Sequence, residues 1–505
     1  SNDCDPSDGS FNGNGFNTFV MLKQTTAYEI RYQYRSILTS LEIQEPKERL
    51  RDDNTEIRLN VHNENFFIDL SRYRLVWTVE VAGNKVRTGV VENVKAAPGE
   101  TVSVGLGITG KDLLEDAATS MTGDPYHASV VPGGIDGDIF ITASWQLKKR
   151  DSLLPAGFEV AYDQMALYEA PASAYAAGSA AGNAMAVASV GDNLEFTGTY
   201  KAPGTTAERN VAWKAVFDKT TGLLTSYENA GVQMLKEPLM PSFWRAPVEN
   251  DMGAGMHKKF RMWRNPELKP VSMDIAEAEG YTCLTVVYRP FGDVCDIEMT
   301  YRVYGDGAIS CTEKLKDAGS LSKATPMFRF GMKFTMPGEF STLDFYGYGP
   351  WENYSDRCSA ALMGRYVQSV SDQYHYGYPR TQESGTKTGL RWMRVLDASG
   401  KGIEITSDVR FSGSAIPFSF DDLDCTVIDP NPRPNPTNNQ QGVAKHSLEL
   451  IPLAHRDARA LGSTYVNFEL KQMGVGGVNS WGTWPLEAYR VNAEEMEFNF
   501  VIRPL

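Results

Sequence analysis

Ile139-Phe140-Ile141-Thr142-Ala143-Ser144-Trp145-Gln146-Leu147 is the stretch on which the fold class turns. Apolar side chains fall at 139, 141, 143, 145 and 147. A period of two puts them on one face of a β-strand. The same alternation runs through Ile57, Leu59 and Val61, against Arg58 and Asn60, and through Leu75, Trp77, Val79 and Val81. Each run is short and bounded by Gly, Asn, Asp or Pro. Residues 37–169 therefore predict an immunoglobulin-like β-sandwich.

Further along, Leu194 to Tyr200 alternates. Ile297, Met299, Tyr301 and Val303 do so before a Gly305-Asp306-Gly307 turn, and Met496, Phe498, Phe500 and Ile502 do so near the end. With no helical tract among them, residues 190–505 predict a large antiparallel sandwich of two wide sheets. Residues 170–189 are small and uncharged, and predict an interdomain linker. Residues 1–36 hold one helical stretch, Thr25 to Tyr34, with Tyr28 and Tyr32 at i, i+4. It is too short to stand without a partner.

The 505 residues are 42% hydrophobic and 22% charged, which is a globular composition. A net charge of -14 opposes phosphate backbones and argues against nucleic acid as a partner. No apolar run is long enough for a membrane span. Cys4, Cys283, Cys295, Cys311, Cys358 and Cys425 form no CxxC pair and read as idle thiols, with a single disulfide left open. The chain opens at Ser1 with no Met and no signal-peptide pattern, and so reads as beginning inside a longer protein. Its compartment, cytoplasmic or periplasmic, stays open.

Three clusters bear on chemistry. Phe243-Trp244-Arg245-Ala246-Pro247-Val248-Glu249-Asn250-Asp251-Met252-Gly253-Ala254-Gly255 reads either as a polar loop that closes on a ligand or as an Arg–carboxylate network bracing a loop. Tyr346 to Arg357 offers aromatic platforms, Glu352 and an Asp356-Arg357 pair, suited to sugar faces and hydroxyls or to a buried turn. Gly476-Gly477-Val478-Asn479-Ser480-Trp481-Gly482-Thr483-Trp484 sets two tryptophans among glycines, which favours a binding surface. The glycines from Gly474 lack the Lys-Ser/Thr of a phosphate loop. Glu249, Glu352 and Glu383 are glycosidase carboxylates by type only. A retaining pair must lie about 5–5.5 Å apart, which sequence does not show.

These clusters resemble the C-terminal half of a bacterial β-galactosidase of glycoside hydrolase family two. Arg245-Ala246-Pro247-Val248-Glu249-Asn250-Asp251-Met252-Gly253 is similar to the family's Arg-Ala-Pro-x-(Asp/Glu)-Asn-Asp-x-Gly. Tyr348-Gly349-Pro350-Trp351-Glu352-Asn353-Tyr354-Ser355-Asp356-Arg357 is similar to its Gly-Pro-x-Glu-x-Tyr-x-Asp-Arg segment. Tyr378 to Gly385 resembles its Pro-Gln-Glu-Asn-Gly turn, with Ser384 for Asn. Gly474 to Trp481 resembles its Gly-x-Gly-Gly-x-x-Ser-Trp. Asp8 to Tyr34 looks like the end of the family's catalytic barrel.

The resemblance implies an all-β fold: an immunoglobulin-like sandwich over 37–169, then a galactose-mutarotase-like supersandwich over 190–505, after a short TIM-barrel remnant over 1–36. It implies that the catalytic glutamates and the magnesium beside them belong to the barrel. This chain then has no catalytic residue, no metal ligand and no cofactor of its own. Its site residues become Trp481, Trp244, Arg245, Glu249, Asn250, Asp251 and Gly253, forming an outer wall for a β-galactoside. Expected partners are that substrate, the N-terminal and barrel domains, and a second copy in a homo-oligomer. A free-standing carbohydrate-binding or assembly module, or a mutarotase-like activity, are the alternatives.

Overall fold

The computed structural model describes residues 23–42, 54–113, 115, 130–131, 134–135, 137–174, 184–201, 210–378, 381–424, 462–479 and 482–505. The chain divides into two compact units. The smaller holds 28–175 and 359–365, and the larger holds 1–27, 176–358 and 366–505.

Among the described residues of the smaller unit the period-two runs become seven strands in two sheets, beside a short pair of Val130–Val131 with Gly134–Ile135. Ile37–Leu41, Glu56–Asn63 and Thr101–Thr109 form one sheet. Asn84–Val91, Tyr73–Val81, Ile139–Leu147 and Glu159–Tyr168 form the other. Both are antiparallel. Leu59 and Val61 from the first sheet share one core with Leu75, Trp77, Ile141 and Trp145 from the second. Buried and part-buried residues alternate along Tyr73–Val81, as the pattern demands. The Trp145 indole N–H donates to the buried Thr39 hydroxyl at 2.9 Å, so the largest core side chain leaves no polar atom unpaired.

The N-terminal helix, Thr26–Gln33, finds its partner here. Arg31 donates to the Glu159 carbonyl at 2.7 Å, and the Tyr32 ring lies 5.3 Å from that of Tyr162. Arg35 grips Asp163, whose other oxygen accepts the Thr39 N–H at 2.8 Å. Residues 359–365 belong to the same unit. Gln164 pairs with both backbone groups of Met363, and the Tyr162 hydroxyl donates to the Ala360 carbonyl.

Among the described residues the larger unit is a seventeen-stranded antiparallel network, mostly in chain order. Its closure depends on two strands. Met496–Pro504 pairs with both Ile309–Asp317 and Gly402–Ile416. The fifteen-residue strand Gly402–Ile416 pairs with Met496–Pro504 through 403–407 and with Ser463–Gln472 through 412–416. A large apolar core lies within, where Phe468 meets Phe500 edge-on at 4.9 Å and Phe217 meets Tyr301 at 5.0 Å, beside a smaller cluster of Ala246, Tyr374, Ile416, Phe418 and Leu423.

The strand Met185–Val190 begins within the stretch that reads as linker and runs past its end. It pairs on one side, with Asn193–Lys201. Its side chains are mostly exposed, so backbone hydrogen bonds hold it and small residues serve there. Residues 175–183 lie outside the described residues, as does the part up to Leu22 of the Asp8 to Tyr34 stretch that resembles a barrel end. Cys283, Cys295 and Cys311 are free thiols, and the Cys358 thiol donates to the Ser355 carbonyl at 3.9 Å. Cys4 and Cys425 are outside the described residues.

Candidate functional site

The first cluster leaves the strand Glu237–Ser242 as extended chain and turns into a short helix, Glu249–Gly253. The Val248 N–H donates to Asp251 Oδ2 at 2.9 Å and closes the first turn. Asp251 is buried and held by Arg245 in a two-pronged pair, Nε to Oδ2 at 3.1 Å and Nη2 to Oδ1 at 2.9 Å. Burial works against the Arg245 charge, but Asp251 beside it more than offsets this and raises its pKa.

Arg245 has donors left over. Nη1 reaches the Met473 carbonyl and Nη2 the Gly474 carbonyl at 3.0 Å. The next two backbone amides face the opposite charge. Val475 and Gly476 donate to Asp356 at 3.1 and 2.7 Å. One turn of backbone is thus held through its carbonyls by a cation and through its amides by an anion. This packing accounts for the glycine at 474, where a Cβ would stand 2.3 Å from an Asp356 oxygen. Beyond it, Gly477 approaches Asn250, with a built Cβ 3.2 Å from its amide nitrogen. Gly482, at φ 133°, lies against Gly253, where a Cβ would be 2.6 Å from the Gly253 carbonyl carbon. Thr483 N–H donates to Asn479 at 3.1 Å, and the Trp484 ring meets buried Phe260 edge-on at 5.5 Å.

The residues read from sequence divide accordingly. Asn250 and Gly253 line the helix that carries the glycine loop. Glu249 heads the same helix and is part-buried. Arg245 and Asp251 are fully buried and committed to each other and to backbone, which is the bracing network among the two readings. Trp244 is buried too. Its indole N–H donates to Asp424 at 3.0 Å and its ring meets Phe328 at 4.9 Å. Trp481 lies outside the described residues. From sequence Asp356 reads only as half of an Asp356-Arg357 pair, and the glycines at 474 and 476 are the signal that something packs hard on that backbone.

The other carboxylates are occupied. Glu352 accepts from Arg357 at 2.7 Å, the Ser384 hydroxyl at 2.6 Å, the Gly385 N–H at 2.8 Å, the Thr25 hydroxyl at 3.2 Å and the Tyr378 hydroxyl. Burial opposes its charge, but Arg357, the nearby His375 and these donors draw its pKa down to about 2. Nearby, burial lowers the Lys387 ammonium to about 8, and it donates to Gln373 and the Gly385 carbonyl. Glu383 takes Arg329 at 3.0 Å and the Thr386 hydroxyl at 3.0 Å, and its own N–H donates to the Ala246 carbonyl. Buried in this way, Glu352 and Glu383 organise loops and present no open carboxylate pair. Among the described residues no group of three or more His, Cys, Asp or Glu side chains is placed to hold a metal ion.

Comparison with known proteins identifies the family. Residues 209–502 match the family "Beta galactosidase small chain", and residues 59–168 match "Beta-galactosidase, domain 4". A β-galactosidase of Priestia megaterium is 27% identical over 504 residues, covering 99% of this chain and 42% of that protein. One of Halalkalibacterium halodurans is 31% identical over 297 residues, covering 57% of this chain and 26% of that protein. The chain therefore spans less than half the length of these relatives and corresponds to a C-terminal region of such a protein. With the first matched family covering more than half of the chain, the chain belongs to the β-galactosidase small-chain family.

Proposed function

We propose that this chain is the non-catalytic part of a retaining exo-β-galactosidase, and that its glycine loop and the helix Glu249–Gly253 form the outer wall of the sugar site. The parent reaction is double-displacement hydrolysis of a terminal β-galactoside by two glutamates that belong to a barrel outside this chain. The observation that supports the wall is the double grip on Met473–Gly476 by Arg245 and Asp356. Two buried or half-buried charges spent on four backbone groups give a loop of fixed base and narrow, glycine-lined contact. That suits a surface that meets one face of a ring. Trp481, in the same loop, is the aromatic platform on this reading, and Gly253 the point at which the loop rests. The magnesium of the family stays with the barrel.

Two assays with a chromogenic β-galactoside test this. The chain alone shows no turnover. In the whole enzyme, Trp481→Ala weakens substrate binding by about 1–3 kcal/mol, the scale of a lost aromatic anchor, while Asp356→Asn raises KM more than it lowers kcat. Turnover by the chain alone, abolished in Glu249→Gln or Glu383→Gln, would overturn the proposal.

A further inference from the structure

The strands Glu237–Ser242, Arg329–Pro337 and Ser463–Gln472 lie side by side in the larger unit. A cavity of about 520 Å³ opens over them, walled by Trp244, Arg264 and the turn Ser419–Asp421. That volume is in the range of small-molecule sites, roughly 300–1,000 Å³. Arg245 and the described part of the glycine loop do not line it.

Two groups on its floor lack partners. Lys333 and Asn467 stand directly opposite each other across neighbouring strands. Among the described residues the Lys333 ammonium makes no hydrogen bond or ion pair, and it lies 5.9 Å from the centre of the Phe420 ring. Asn467 is 3% exposed and its side-chain oxygen has no donor. The acidic groups nearby have other hydrogen-bond or ion-pair partners, though their charge still reaches Lys333. Glu237 accepts the Thr335 hydroxyl, and Asp421 pairs with Arg264 at 3.0 Å, which also meets Asp424 at 3.3 Å. Burial lowers the Lys333 pKa, with Asp421 and Glu237 opposing that and Arg329 and Arg264 adding to it. The part-buried Lys333 ammonium faces the cavity without a fixed anion, whereas the buried Asn467 oxygen without a donor is the costly group of the two. The ligand must bring a carboxylate to the first and a hydroxyl to the second, and aromatic walls at Trp244 and Phe420 suit a ring of alternating apolar and polar faces.

We propose that this cavity is a second ligand site, separate from the glycine loop, that binds a monosaccharide-sized sugar acid with its carboxylate on Lys333 and a hydroxyl on Asn467. The test is calorimetric titration of the whole chain with D-galacturonate, its neutral methyl ester and D-galactose. Galacturonate is expected to bind saturably, the ester and galactose at least ten-fold more weakly. Lys333→Gln is expected to remove at least ten-fold of the galacturonate affinity and leave the weak binding of the ester unchanged. Trp481→Ala is expected to leave galacturonate binding unchanged. Should Lys333→Gln fail to fold, the acid-to-ester ratio on the unaltered chain decides alone. No saturable galacturonate binding, an ester bound as tightly as the acid, or loss of galacturonate binding in Trp481→Ala would each overturn the proposal. Failure here with the Trp481 effect on β-galactoside binding intact would leave the outer-wall reading standing.

Discussion

Glu313 and Glu352 are both buried glutamates, and their surroundings send them in opposite directions. Glu313 sits inside the strand Ile309–Asp317 with neither carboxyl oxygen hydrogen-bonded, and burial lifts its pKa well above the usual range. The folded chain keeps that proton, whereas the unfolded chain releases it above about pH 4.5. Its contribution is therefore most favourable at acid pH and declines as pH rises. Replacing Glu313 by Met is expected to stabilise the protein by about 1–3 kcal/mol near neutral pH, and by less at pH 4. Urea melts at the two pH values measure this, and a variant less stable than the parent at neutral pH contradicts it. Glu352 is the reverse. Its pKa of about 2 lies below that of an unfolded glutamate. Its stabilisation is present above about pH 4.5 and is lost as pH falls toward 2. Glu352→Gln strands Arg357 in a buried site and is expected to cost about 3–5 kcal/mol at neutral pH, with the loss shrinking in acid. Glu313 was legible as an inward position, since 311, 313 and 315 share a face. That Glu352 would collect five donors was not, because they come from Thr25, Arg357, Tyr378, Ser384 and Gly385.

At the scale of elements, the glycine loop and the N-terminal helix show what motif and packing each contribute. The loop's glycines are written locally, but the two charges that need them sit about 120 and 230 residues upstream, a separation no local pattern reveals. Asp356→Ala frees the amides of Val475 and Gly476. Hydrogen exchange at those two amides is expected to speed by roughly ten- to a hundred-fold, the scale of about 1–3 kcal/mol of lost protection. Unchanged exchange would show that the loop holds its shape without the carboxylate. Gly474→Ala is expected to do similar damage for a steric reason, since its Cβ meets the same carboxylate. The helix Thr26–Gln33 has no buried residue of its own. Arg35 and Asp163, at 2.8 Å and mostly covered, fix it to the strand Glu159–Tyr168. Its helical character was readable from Tyr28 and Tyr32, but its dependence on that strand was not.

For the whole molecule, the division between units is less sequential than composition suggests. Residues 359–365 sit deep within the second half of the chain yet belong to the smaller unit. A segment of 28–175 expressed alone keeps both sheets and their shared core, so it is expected to fold. It lacks the backbone that Gln164 pairs with. Gln164→Ala should therefore destabilise the full chain, by about 1–2 kcal/mol for the two hydrogen bonds, and leave the isolated segment nearly unaffected. Thermal melts of the four proteins give the comparison, and equal losses in both backgrounds would show that 359–365 adds nothing to the smaller unit.

Strand patterning, the two-part β organisation and the family motifs are local properties. They follow from a side-chain period of two and from short runs of residues, and the sequence alone determines them. The partners of each buried charge are long-range properties. Arg245 could brace a loop or greet a ligand on the evidence of its neighbours in the chain. Only folding brought the Met473 and Gly474 carbonyls against it and excluded water there, and a buried guanidinium must satisfy its donors with whatever the fold supplies.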